Sequence, residues 1–110
     1  MSPENTAQNG DGNETVRRQL TILNSRGLHA RAAAKFAKTV GDFDAEVMVC
    51  RGDMSVSGLS IMGLMMLAAS PGSAVNLAAT GAEAEAVLDA LEALIADKFG
   101  EDKHLSAPGI

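Results

Sequence analysis

The segment Gly27-Leu28-His29-Ala30-Arg31-Ala32-Ala33-Ala34-Lys35 places a histidine where a turn gives way to a helix. The first backbone N–H groups of a helix have no partner inside it, and the helix dipole is positive at that end. An anion such as phosphate is favoured there. Arg31, two residues on, can donate charge-assisted hydrogen bonds to the same anion. Imidazole is nucleophilic near neutral pH and can carry a phosphoryl group covalently. The chemistry these residue types suggest is acceptance of a phosphoryl group on His29. A histidine-x-arginine spacing is nonetheless short, and a histidine that merely caps an exposed helix end satisfies it too. Arg31, Lys35 and Lys38 fall at helical spacing on one face, which suits either an anion-facing surface or a solvated helix side.

A second candidate is Ser60, directly before Ile61-Met62-Gly63-Leu64. Serine there is a natural N-cap, and a phosphate at the same place would be tolerated by the helix while adding about −1.5 to −2 charge. Methionines 54, 62, 65 and 66 suit either core filling or a flexible docking surface. Met62, Met65 and Met66 are read as lying on more than one face of a short helix, so some of them are expected outside. The remaining candidates are weaker. Cys50 ends a strand-like run, His104 stands near the C-terminus without motif context, and Asp42, Asp44 and Glu46 lack the spacing of a metal loop. One cysteine excludes an intrachain disulfide, and with only two histidines a structural zinc site is not expected either.

Several elements must position these residues. Val16 to Leu23 alternates like a strand, with Leu20 and Ile22 on one face, and Asn24 to Gly27 is a turn cluster. Ala30 to Val40 carries apolar residues at 32, 33, 36, 37 and 40, a helical spacing that Gly41-Asp42 ends. Ala45 to Cys50 and Met54 to Ser57 read as a hairpin across Arg51-Gly52-Asp53. Ile61 to Ala69 reads as a short apolar helix stopped by Ser70-Pro71-Gly72, and Ala74 to Ala79 as a further strand. Thr80-Gly-Ala-Glu83 resembles a capping box before the last helix, whose apolar stripe runs through 87, 88, 91, 94, 95 and 99. The order β-α-β-β-α-β-α predicts an α+β layer fold, one antiparallel sheet with the helices on a single face.

At 110 residues this is one domain, and with no Trp, no Tyr and three Phe its core must be built from Leu, Ile, Val, Met and Ala. The formal net charge of −5 argues against a nucleic-acid binder, which would show a basic footprint. Residues 1–15 are polar and Gly-rich and are expected to form a disordered tail. Residues 16–105 then form the domain, and 106–110 a frayed end. No stretch approaches the ~18 apolar residues of a membrane span, and no apolar signal core is present near the N-terminus. A soluble, cytoplasmic monomer without membrane association is expected.

Gly27-Leu28-His29-Ala30-Arg31 resembles the active-site segment of HPr, the histidine-containing phosphocarrier family of the bacterial phosphotransferase system. Ser60-Ile61-Met62-Gly63 resembles that family's regulatory serine segment, at a matching separation from His29. The element order also matches the family's open-faced β-sandwich of four antiparallel strands and three helices. The resemblance covers roughly Val16 to Gly100. It implies that His29 takes a phosphoryl group on Nδ1 from Enzyme I and passes it to an EIIA-type protein, with Arg31 and the Ala30 and Arg31 amides facing the group. It implies further that Ser60 is the target of an HPr kinase/phosphorylase. Ile61, Met62, Met65 and Met66 would form the partner-docking surface with the helix around His29, including Lys35 and Lys38. No cofactor is implied, and the protein would be a stoichiometric carrier rather than an enzyme. Ala32 replaces a proline found in many members, and Leu59 replaces a lysine before the serine. Both departures resemble the proteobacterial branch that includes the nitrogen-related carriers. An alternative follows: a regulatory module of a nitrogen-type system that controls a kinase or transcription regulator through its phosphorylation state. An all-helical phosphotransfer domain does not fit the strands at 16–23, 45–50 and 74–79.

Overall fold

Four runs of alternating residues pair into one antiparallel sheet, and its pleat sends every second side chain to a common face. The computed structural model describes residues 15–67 and 70–100. Its strands are β1 (Thr15–Thr21), β2 (Glu46–Arg51), β3 (Met54–Ser57) and β4 (Ala74–Thr80), in the spatial order β1-β4-β2-β3. The register opposes Leu20 to Val75, Val47 to Ala79 and Val49 to both Leu77 and Val56. Leu20, Val47, Val49, Val75, Leu77 and Ala79 are buried on the face that the helices cover. Gln19, Glu46 and Asn76 alternate with them and stay exposed.

The helices are α1 (Ala30–Gly41), α2 (Ile61–Met66) and α3 (Ala84–Ala96), followed by a 3-10 turn at Lys98–Gly100. α1 buries Ala32, Ala33, Phe36 and Val40; α3 buries Ala84, Val87, Leu88, Leu91 and Ile95. Each fully buried aliphatic or phenyl side chain stabilises the fold by roughly 1.5–3 kcal/mol, so these two stripes account for much of the core. A polar clamp closes the β1 edge. Arg18 reaches Asp89 and Glu92 through Nη1 at 2.8 and 2.9 Å and Glu85 through Nη2 at 3.2 Å. The hydrogen bond it donates to Asp89 holds the guanidinium pKa above its ordinary value, with Glu92 adding to it. Those three carboxylates stand one helical turn apart on α3 and face the strand together.

The α+β sandwich is as expected, but three local expectations are corrected. Thr80 belongs to β4 and pairs with Thr15 through their hydroxyls at 3.0 Å, so no capping box forms. Glu83 is the N-cap of α3 without a side-chain cap bond; its carboxylate accepts the Asp44 amide at 2.6 Å instead. α3 ends at Ala96 rather than running to Phe99, because Lys98 and Phe99 take left-handed φ values of 54° and 55°. Phe99 still reaches the core, fully buried, from that turn. α2 ends at Met66, with Leu67 as its cap. Of the expected tails, Thr15 opens β1; residues 1–14 and 101–110, with His104, lie outside the described residues.

Candidate functional site

The β1–α1 connection is built to start a helix at one place. Ile22 continues the strand by bonding its amide to Ser73 O, and buried Asn24 donates from Nδ2 to Gly27 O at 2.8 Å. Gly27 takes φ +67°, a left-handed conformation that glycine adopts at least cost. Leu28 is buried and anchors the end of the loop. His29 follows in extended conformation as the N-cap of α1, half-exposed, and its carbonyl accepts the Ala33 amide at 2.8 Å.

The His29 imidazole turns back onto the helix start. The Arg31 amide donates to Nδ1 at 3.3 Å, so Nδ1 presents a lone pair toward the N-terminus of α1. No acidic residue stands in the first turn of α1, so nothing there opposes an incoming anion. Ala30 and Arg31 are exposed beside the imidazole, while Ala32 and Ala33 face the core. Ala32 is completely buried in the first turn, where a proline would lose no hydrogen bond needed by the helix. A half-exposed imidazole and the positive end of α1 thus meet at one place, with exposed Arg31 two positions on.

The two lysines expected beside them sit differently. Lys35 is half-buried and donates from Nζ to Phe99 O at 2.6 Å, fastening α1 to the left-handed turn after α3. Lys38 is exposed and pairs with Asp42 at 3.6 Å across one helical turn. Both lie on the α1 side but are already engaged within the chain.

α2 lies beside α1. Ser60 is its N-cap, and Oγ accepts the Gly63 amide at 2.9 Å. Leu64 turns inward and is fully buried. Ile61, Met62, Met65 and Met66 turn outward, exposed by 41, 72, 42 and 62%, next to Leu59 at 60%; the three methionines are not divided between faces as expected, because positions i, i+3 and i+4 of a helix lie on one side. These large exposed apolar side chains form a cluster of the kind that partner docking would use. Sequence reasoning missed what holds this helix. Gly63 packs so tightly on β3 that a Cβ would come within 2.9 Å of Val56 Cβ. Arg51, expected only as part of a hairpin turn, closes β2 and donates from Nη1 to Leu67 O at 2.9 Å. No local signal announces that bond, which spans 16 positions.

Cys50 is remote from His29. It contacts Ser55 Oγ at 3.2 Å and, with Arg17, Gln19, Asn76 and Ala78, lines a shallow depression of about 360 Å³ on the uncovered face of the sheet. Among the described residues no group of His, Cys, Asp and Glu is arranged to hold a metal ion, and no helix is long and apolar enough to cross a membrane.

Residues 16–97 match the family model described as "PTS HPr component phosphorylation site". Over 86 residues the chain is 48% identical to phosphocarrier protein HPr of Cupriavidus necator, covering 78% of this chain and 97% of that one. It is 44% identical to phosphocarrier protein NPr of Shewanella violacea over 86 residues, 78% of this chain and 94% of the relative. Among solved structures, an HPr from Thermoanaerobacter tengcongensis superposes with a TM-score of 0.74 at 41% identity, covering 78% of this chain and 97% of that one. An HPr from Bacillus anthracis does so with a TM-score of 0.72 at 34% identity, covering 76% and 99%.

Proposed function

The chain belongs to the HPr family of phosphocarrier proteins of the phosphotransferase system, and from that premise we propose that His29 Nδ1 is the atom that carries the phosphoryl group. One observation carries this reading: the Nδ1 lone pair stands at the N-terminus of α1, 3.3 Å from the Arg31 amide. In transfer, that lone pair attacks phosphorus. The bond from phosphorus to the donor breaks, and its electron pair stays with the donor. The Ala30 and Arg31 amides then point at the phosphoryl oxygens, the Arg31 amide giving up its bond to the ring, and the Arg31 guanidinium adds a charged donor. The same steps in reverse release the group to the next acceptor, so the protein is a carrier and not itself a catalyst.

The donor in this reading is Enzyme I and the acceptor an EIIA-type protein. Both must meet the same exposed atom, so they share one face: the start of α1, with Lys35 and Lys38 along it, and Ile61, Met62, Met65 and Met66 of α2. The protein works as a monomer in the cytoplasm. Ser60 is the regulatory position, the target of an HPr kinase/phosphorylase. A phosphate at the head of α2 places about −1.5 to −2 charge within the apolar docking surface and repels an acidic partner.

Incubation with Enzyme I and phosphoenolpyruvate is expected to give an acid-labile, base-stable phosphoprotein that His29→Ala does not form. Undiminished labelling of His29→Ala overturns the assignment. The resemblance to an NPr favours a second reading, in which the pathway is regulatory rather than transport-linked. Parallel phosphotransfer assays with the sugar-type and nitrogen-type Enzyme I of the same organism distinguish the two by which donor is faster.

A further inference from the structure

α2 is six residues long, and an isolated helix of that length does not hold together in water. Its one fully buried side chain is Leu64, with Leu67 just beyond, while Ile61, Met62, Met65 and Met66 stay 41–72% exposed. The helix therefore depends on its ends. At the N-terminus Ser60 Oγ accepts the Gly63 amide. At the C-terminus the last carbonyls have no partner within the helix and form the negative end of its dipole. α2 has no basic residue in its last turn. The cation comes instead from the sheet: Arg51, at the end of β2 and half-buried, donates from Nη1 to Leu67 O at 2.9 Å. β2 is an interior strand, paired to β4 and β3, and Arg51 at its end still pairs with Met54 of β3.

We infer that Arg51 is a positioning residue for phosphotransfer, fixing the C-terminal end of α2 and with it the Met62, Met65 and Met66 surface that a donor protein must meet. The inference rests on the carrier reading above. The bond that Arg51 makes is to Leu67 O, at the C-terminal end of α2. Its effect falls on recognition: a loosened α2 presents the same side chains over a wider range of positions, and docking bears the ordering cost. The reacting atoms are untouched once the complex forms. The signature is a rise in KM with kcat preserved.

The experiment uses the full chain, with Enzyme I of the same organism and phosphoenolpyruvate, varying the carrier concentration. Arg51→Met keeps most of the stem and removes the donors; Arg51→Lys keeps the charge and a donor on a slightly shorter stem. Arg51→Met is expected to raise the KM for the carrier about five- to tenfold, the scale of a lost charge-assisted hydrogen bond only partly felt at the surface, with kcat within about twofold. Arg51→Lys is expected to recover most of the KM. Amide hydrogen exchange should quicken at residues 64–67 in Arg51→Met and stay unchanged at residues 33–40 of α1. A labelled wild type with an unchanged KM in Arg51→Met overturns the inference alone. A fall in kcat without a change in KM also overturns it, as does global unfolding of Arg51→Met by circular dichroism, because the role is local to α2. A wild type that Enzyme I does not label removes the carrier reading, and this inference with it.

Discussion

Two helices of this protein begin with a side chain that caps them and that is also proposed to carry phosphate. His29 caps α1 through Nδ1 at 3.3 Å from the Arg31 amide, and Ser60 caps α2 through Oγ at 2.9 Å from the Gly63 amide. Behind the caps their anatomy is opposite. α1 has twelve residues, buries Ala32, Ala33, Phe36 and Val40, and is tied down further by Lys35 on Phe99 O. α2 has six residues, buries only Leu64, and turns its methionines outward. A helix held by its core face can lend its cap to chemistry, since losing one long hydrogen bond leaves the anchoring intact. A helix held by its ends cannot be altered at an end without altering the surface it displays. The first arrangement suits a group that is loaded and unloaded; the second suits a switch.

If that contrast is right, the largest effect belongs to the inward face of α1. Phe36→Ala removes a fully buried ring and should destabilise the protein by about 3–5 kcal/mol, read as a shift in the urea midpoint at constant slope. A loss below ~1 kcal/mol would mean that α1 is held by something other than its core face. Next comes Gly63→Ala in α2. The added methyl would sit 2.9 Å from Val56 Cβ, in a contact that cannot relax without moving α2 off β3. Overpacking of this kind costs about 1–3 kcal/mol. Nuclear magnetic resonance shifts should concentrate in residues 60–67 and leave the first turn of α1 in place. Shifts spread evenly over both helices would break the comparison.

The caps come third and test it directly. Ser60→Ala should cost about 1 kcal/mol, the usual value for a serine N-cap. His29→Ala should cost less, about half of that or under, since the bond it removes is longer and α1 is anchored elsewhere. Thermal or urea unfolding of the two variants side by side gives the order. A larger loss in His29→Ala would make His29 a structural cap first.

Much of this division was readable from residue types. The alternation of Leu20 with Ile22, Val47 with Val49, and Val75 with Leu77 and Ala79 placed those side chains on the covered face, where they are found. Both capping residues stood at turn-to-helix junctions, and the surplus of methionine on a short helix implied exposure. The residues that escaped share one property: their partners are far away in the chain. Glu83 caps the Asp44 amide rather than its own helix, Lys35 reaches Phe99 O 64 positions on, and Arg51 reaches Leu67 O. Local spacing describes which side chains neighbour one another within a few residues. It is blind to what the closing of the sheet brings up against them. The same limit misplaced the end of α3, where burial of Phe99 and the Lys35 bond hold a left-handed turn that the apolar stripe reads as more helix.

The smallest expected effect on stability is the one that isolates the outward face of α2. Met62 is 72% exposed, so Met62→Ala forfeits little packing and should change the unfolding free energy by no more than about 0.5 kcal/mol. Alanine also favours the helix slightly, which offsets part of any loss. In the carrier reading the same side chain is buried by each partner in turn, and removing it exposes that burial as lost affinity. A several-fold rise in the KM for Enzyme I, with unchanged unfolding and unchanged kcat, would separate display from anchoring within a single helix. An unchanged KM would move the docking surface off Met62 toward α1. A marked loss of stability would show that α2 leans on its outward side chains, and the contrast with α1 would then be one of degree.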